Sequence, residues 1–386
     1  MNRGGTTTRS TPGLIDAHSH LRATSYAEHD IRGQSLEEGL LRMTAMTAVD
    51  VEDDTFVACS ELIEKGVTGV QVMFHTFGDS DAYREALGAT ITGVRRSGIR
   101  AAIILGATDQ AEFLPLNADS VPALADIARA PRRLTPDEFG LVVERSASQY
   151  SDLALGIGPV GPQWCSDELL HTIGEISQQG YRVHSHFAES KSQRSWAGDL
   201  LGRMAKARLL SPGTSLAHAV WVNDDELRLL ADFGVSLVTC PLSNSLLSAG
   251  TANVARWRAA GVTLAVGMDS ADRTATPMSV ARRAFTAQDA ELALTVGGAR
   301  ATGIDSTSDR VDWLDDGLET PERVVISGVE RVVNGRLVNA VEVDEARRRI
   351  AATMSRDAPA RVNRHLALDA LTPEYLEVVR RAVNAG

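Results

Sequence analysis

Nowhere in this chain does an uninterrupted apolar stretch approach the length that a bilayer demands. The polar, Gly/Thr-rich start, Met1–Thr11, has no apolar core of the kind a secretion signal carries. Cysteine is scarce: Cys59, Cys165 and Cys240 are odd in number and widely spaced. That excludes a disulfide framework and reads as reduced thiols of a soluble cytoplasmic protein. Lysine is nearly absent, since only Lys65, Lys191 and Lys206 accompany the arginines among 39 basic residues. A codon bias toward G and C accounts for that. No basic cluster stands out against a formal net charge of −11, so neither nucleic acid nor a membrane surface is an expected partner.

What is present is ordinary soluble protein: 44% hydrophobic and 23% charged residues over 386 positions. The length exceeds the usual single domain but is within reach of an α/β barrel with additions. No internal repeat of fixed period is visible. From Gly13 to about Gly303, short apolar runs alternate with longer amphipathic ones. The strand candidates are Leu14–Ala17, Gly69–Phe74, Arg100–Leu105, Leu153–Gly158, Tyr181–Ser185, Ser215–Ala217, Val235–Thr239 and Val262–Gly267. Helical patterns lie between them, among them Asp53–Glu64, Trp196–Leu209 and Met278–Leu294, several opening on cap residues such as Ser166 and Asn223. Eight β-then-α units in succession predict a parallel (β/α)₈ barrel, with a doubly wound open sheet as the alternative.

The expected layout is a short polar segment 1–11, a barrel over 12–320, a small β-hairpin over 321–343, and C-terminal helices over 344–386. The hairpin is read from Arg323–Ile326 and Glu330–Val338 with Asn334-Gly335. Gly106–Arg133, rich in Pro, Ala and Asp, is too long for an ordinary connection and reads as a lid or surface insertion.

Five residues read as one metal site: His18, His20, His186, His218 and Asp269. Side chains at i and i+2 of a strand share a face, so His18 and His20 can reach one ion from one edge. The other three close later strands. All five fall at C-terminal strand ends, where barrel active sites form. Taken singly, each histidine is better read as a core or surface residue, and His29, His171 and His365 keep that reading. His75, after the second barrel strand, faces the right end to line the pocket. Glu189, three residues past His186, is placed for general-acid work.

Pro12–His20, His184–Ser190, Leu216–His218 and Val266–Ser270 together resemble the amidohydrolase superfamily. The branch is that of cytosine, guanine and S-adenosylhomocysteine deaminases with the triazine chlorohydrolases. Cys240–Asn244 with Gly250, and Gly298–Gly303, resemble further segments of that branch, and the likeness runs from Pro12 to about Val338. The resemblance implies that His18, His20, His186 and Asp269 bind one divalent ion. Zinc is the default for such a set, with iron known among relatives. It further implies that His218 orients or polarises the attacking water, that Asp269 takes its proton, and that Glu189 shuttles protons to the substrate. The two-metal variant uses a carboxylated lysine after strand four. Leu153–Pro162 contains no lysine, so one metal is expected.

The implied activity is hydrolytic deamination of a small aminated N-heterocycle: a purine, pyrimidine, pterin or triazine-like ring. Removal of chloride or alkylamine from a triazine-like ring is the near alternative, and a non-catalytic binding barrel the distant one. Two positions depart from the branch: Thr239 replaces a histidine, and Val160 stands in a segment that often reads Pro-His. Gln163 and Trp164 could therefore supply an amide and a stacking face, although a packed loop tryptophan reads equally well. Asn244 is a further candidate substrate contact. Relatives also carry tens of residues before Pro12 that contribute to a small β-sandwich, so the N-terminal half of that sandwich is expected to be missing. The edge so exposed would be covered by the C-terminal helices or by a partner subunit in a homodimer.

Overall fold

The eight apolar runs become eight consecutive parallel strands in a computed structural model, which describes residues 9–31, 35–114, 124, 127, 131–269 and 274–385. A short strand, β1 (Arg9–Thr11), precedes them. The barrel strands are β2 (Leu14–Ser19), β3 (Val67–Phe74), β4 (Arg100–Ala107), β5 (Ala154–Pro159), β6 (Val183–Phe187), β7 (Thr214–His218), β8 (Ser236–Thr239) and β9 (Thr263–Val266). Strands such as β3 are buried at every position. Helices cover the outer face of the sheet and side chains fill the barrel interior, which is why these segments are apolar without alternation. The barrel closes where Asp269, just past β9, donates its amide to His18 O at 2.8 Å and bridges Ser19 in parallel.

Local chemistry sets the helix starts. Asp50, Asp79, Thr135, Ser166 and Asn223 each accept from a backbone N–H in the first turn of the helix that follows. Two expected helices are broken. Trp196–Leu209 becomes Lys191–Trp196 and Leu200–Lys206, because Gly198 turns the chain with φ of 63°. Met278–Leu294 becomes Pro277–Ala281 and Ala287–Leu292, since Thr286 caps a new start, followed by a π turn at Ala293–Gly297.

The small β segment is larger than a hairpin. Beyond the barrel come β10 (Arg310–Trp313), β11 (Pro321–Ile326), β12 (Val329–Val333) and β13 (Arg336–Leu337), which with β1 form a five-stranded sheet in the order β1-β10-β11-β12-β13. Residues 310–313, expected within the barrel, and 9–11, expected in a polar lead segment, are both strands of this sheet. The N-terminal segment therefore contributes one strand to this sheet. The β11–β12 turn is Ser327-Gly328, while Asn334-Gly335 turns β12 into β13; all four residues have positive φ, the geometry of tight hairpin turns. The sheet is anchored by Trp313, whose indole donates to Thr11 Oγ1 and fills the space a side chain at Gly66 would need. Residues 1–8 and half of the expected lid lie outside the described residues.

Unanticipated from sequence is a strap between β2 and the next barrel helix (Val51–Glu64), carrying a 3₁₀ turn at Tyr26–His29 and a helix at Leu36–Met43. It is held from outside by the C-terminal helix Ala340–Ala385, which begins four residues earlier than expected because the chain leaves β13 directly into it. Arg361 donates to Thr47 Oγ1 (2.8 Å), Arg364 to Ala45 O (3.1 Å), and His365 Nε2 lies 2.8 Å from His29 O. His365, expected far from the barrel mouth, thus packs on the strap. Farther along, Tyr375 donates to Phe113 O after β4. No helix among the described residues is long and apolar enough to cross a membrane.

Candidate active site

The C-terminal strand ends bring His18, His20, His186, His218, Glu189 and Asp269 together in the barrel mouth. His20 Nε2 and His186 Nε2 are 3.1 Å apart, and His20 Nε2 is 3.7 Å from Asp269 Oδ1. Ligand atoms at zinc–nitrogen distance on a tetrahedron are about 3.4 Å apart, so these separations bracket what one ion needs. The donor nitrogens of His18, His20 and His186 all lie within 4.8 Å of one another, and His18 Nε2 is buried without a partner among the described residues. Buried imidazole lone pairs that face one another rather than a protein donor fit a divalent cation. A second grouping, His18, His218 and Cys240, also meets the distance condition. Burial pushes the Cys240 thiol up, which disfavours the thiolate that coordination needs. The oxygen-bearing set is therefore the better match.

Burial comes first among the causes that hold His18 and His20 well below the usual histidine range, with neighbouring imidazoles adding to it. His186 and His218 are lowered by burial as well. Neutral rings are the coordinating form. His186 Nδ1 lies 2.6 Å from Val160 O; a carbonyl only accepts, so that nitrogen carries the proton and Nε2 faces the cluster. His218 Nδ1 is 2.8 Å from Asn244 Oδ1 and 3.5 Å from Glu189 Oε1, which leaves Nε2 turned away from both. Burial raises Glu189 to about 8, with Asp269 and Glu37 contributing in the same direction against the pull of His186. A carboxyl so raised is protonated near neutrality and can give up a proton.

The strand ends are also bent. His218 and Asp269 have φ of 69° and 58°, and Ala188 and Ala219 are positive too. Such conformations are uncommon for non-glycine residues and recur where side chains are aimed at a site. Asp16 ties the two closing strands beneath the site, accepting from His18 N (3.2 Å) and Met268 N (2.9 Å).

The expected substrate contacts divide. His75 and Trp164 line a cavity of about 300 Å³ that also reaches His20, His186, His218, Glu189 and Asp269. Asn244 does not line it; it sits behind His218 and orients that ring. Gln163 is buried off the cavity wall, because the 3₁₀ turn Pro162–Trp164 points successive side chains in different directions and presents only the indole. Missed from sequence is Glu112, on the wall with its Oε1 3.9 Å from His75 Nδ1. It lies just past the end of β4, the position at which the strand-end rule could have found it. Arg22 and Arg133 flank it, and burial raises it to about 7.

Comparison with known proteins agrees with this geometry. A 5-methylthioadenosine/S-adenosylhomocysteine deaminase of Archaeoglobus fulgidus is 30% identical over 275 residues, 67% of this chain and 59% of the relative. A 5'-deoxyadenosine deaminase of Methanosarcina mazei is 26% identical over 268 residues, 67% of this chain and 56% of the relative. The matched part thus spans less than two thirds of either relative's length. Among solved structures, an adenosine deaminase from Xanthomonas campestris with bound zinc superposes with a TM-score of 0.69 at 21% identity, covering 90% of this chain and 86% of the other. A zinc complex of an atrazine chlorohydrolase from Arthrobacter aurescens gives 0.68 at 19%, covering 89% and 88%; at such identities the likeness is one of fold. The model of the Amidohydrolase family matches residues 10–312, from the first small-sheet strand through the whole barrel and all six residues of the mouth. With the eight-stranded barrel and its strand-end histidines, that match makes this chain a member of the amidohydrolase family.

Proposed function

We propose that the protein hydrolyses the bond between a ring carbon and an exocyclic amine on an adenosine-like N-heterocycle, releasing ammonia. The observation that carries this is Glu189: a buried, proton-holding carboxyl 3.5 Å from His218, on the same cavity as the His₃Asp set. His18, His20, His186 and Asp269 would hold a single divalent ion, zinc by ligand type, which when bound lowers the pKa of water. His218, fixed by Asn244, turns Nε2 toward the water's hydrogen. Asp269 takes the water proton as oxygen bonds to carbon, and Glu189 protonates the adjacent ring nitrogen. The C–N bond then breaks: the amine leaves as ammonia with the proton held by Asp269, and the hydroxyl on the ring carbon returns its proton to Glu189 as it becomes a carbonyl. Trp164 and His75 supply flat walls for a planar ring. The adenosine-like class comes from what the relatives are named for. A cytoplasmic setting accords with three buried free cysteines, and a homodimer is the assembly to test by light scattering.

Ammonia release by zinc-loaded protein is measured across adenine nucleosides, free purines, pyrimidines, pterins and aminotriazines. Turnover is expected with at least one adenine nucleoside. Release of chloride or alkylamine from a triazine without ammonia release would replace deamination by the other leaving-group chemistry. No turnover with any compound would overturn the proposal.

A further inference from the structure

Behind the ligand cluster, inside the barrel, four buried side chains from four strands form a hydrogen-bonded chain with a direction. His18 Nδ1 on β2 is 2.8 Å from His184 Nε2 on β6. His184 Nδ1 is 3.1 Å from the backbone oxygen of Ser215 on β7 and 2.8 Å from its hydroxyl. Gln71 on β3 donates through Nε2 to Ser215 Oγ (3.2 Å) and to Ala17 O (2.9 Å). All four residues are at most 1% exposed.

The protons in this chain are fixed from its far end. A backbone carbonyl only accepts, so the hydrogen faced by Ser215 O sits on His184 Nδ1. A neutral imidazole with its proton on Nδ1 has its lone pair on Nε2, so His184 Nε2 is the acceptor of the next bond. His18 Nδ1 must then be the donor. That leaves the lone pair of His18 on Nε2, the buried atom that has no partner among the described residues and lies in the metal-ligand cluster. Gln71 donates an N–H to the Ser215 hydroxyl from the other side and holds that side chain in place.

We propose that His184 is a positioning residue that locks His18 in the Nδ1–H tautomer, presenting Nε2 to the divalent ion. Metal-bound histidines generally donate their second N–H to a carboxylate, carbonyl or water, and loss of that partner typically weakens metal affinity 10–100-fold. Here the acceptor is a second imidazole. It orients His18 without adding a negative charge beneath the site, so Asp269 remains the one anionic ligand in the set. The assignment rests on the proposed ion site but not on the identity of the substrate.

The test is zinc affinity, measured by competition with a chromophoric chelator, together with ¹⁵N–¹H imidazole spectra of the unsubstituted protein. His184→Leu keeps bulk and loses the acceptor, and its zinc Kd is expected to rise 10–100-fold. His184→Gln returns an acceptor oxygen and is expected to recover most of that loss. The spectra are expected to show protons on Nδ1 of both His18 and His184. Wild-type zinc affinity in His184→Leu would overturn the proposal. Equal weakening in both variants would do the same, as it marks a role in packing alone. If neither variant folds, the spectra decide: a proton on His18 Nε2 sinks the assignment. Should ammonia release never be found while the zinc results hold, the proposed reaction fails and the role of His184 stands.

Discussion

The two walls of the cavity are built in different ways. The inner wall is made of strand ends: His20, His186, His218 and Asp269 stand on or just past barrel strands whose hydrogen-bonded register fixes their spacing, with the buried His18 ring packed against those of His20, His186 and His218. The outer wall is made of additions. Leu40, Met43 and Met46 come from the strap, Glu112 and Phe113 from the segment after β4, and the C-terminal helix binds both segments from outside. Rigid strands suit chemistry that needs sub-ångström placement, whereas an inserted wall can change its side chains without disturbing the ions and protons beneath. On the proposed function, reaction type belongs to the inner wall and substrate preference to the outer one.

If that division is right, substitutions should separate cleanly into the two groups. The largest effect belongs to the inner wall: His18→Ala or Asp269→Asn should leave less than about half an equivalent of zinc and lower ammonia release by roughly a thousandfold or more, as expected when a catalytic ion is lost. Metal analysis beside steady-state rates checks both. Glu189→Gln comes next, keeping full zinc but lowering kcat by about 10²–10⁴ with little change in KM. Near-normal kcat would remove Glu189 from the reaction.

On the outer wall, Glu112→Gln should act on binding: KM is expected to rise about tenfold with kcat changed much less, from loss of a hydrogen-bonding carboxyl group. The same variant has a pH signature. Burial raises the Glu112 carboxyl from its ordinary 4.5 to about 7. Its stabilising protonated form is complete below the unfolded value, and that contribution is lost as pH rises through 7. Denaturant titrations from pH 4.5 to 8 should therefore show a decline that is shallower in Glu112→Gln. The smallest effect is expected at Arg364→Ala, which frees the strap at Ala45 while leaving zinc content intact. A rise in KM of about threefold and a loss of roughly 1 kcal/mol in stability are anticipated from the lost hydrogen bonds. A change in kcat larger than that in KM would mean the two walls are coupled.

The same division explains what could be read from the amino acids alone. Strand ends obey a local rule, so period-two pairing and the alternation of β and α runs located His18, His20, His186, His218 and Asp269 without tertiary knowledge. Facing directions in loops obey no such rule. Gln163 and Trp164 are neighbours, yet one enters the cavity wall and the other does not; Asn244 turned out to support His218 from behind. Glu112 was hidden by an irregular composition around it. The helix breaks at Gly198 and Thr286 depend on a turn and a cap whose strength the apolar pattern masks. The two outlying strands of the small sheet escaped notice because β1 and β10 are only three and four residues long and pair across some 300 positions.

The closing bond of the barrel has a mechanical meaning. His18 and Asp269 stand about 250 residues apart along the chain, and Asp269 N–H on His18 O joins the first barrel strand to the end of the last. An ion gripped by side chains from both would act as a clasp on that seam, a cross-link made without a covalent bond. Cross-links over long loops restrict the unfolded chain most. Stripping the ion should therefore loosen the whole cylinder at once, seen as faster amide exchange along both β2 and β9 rather than fraying around the mouth.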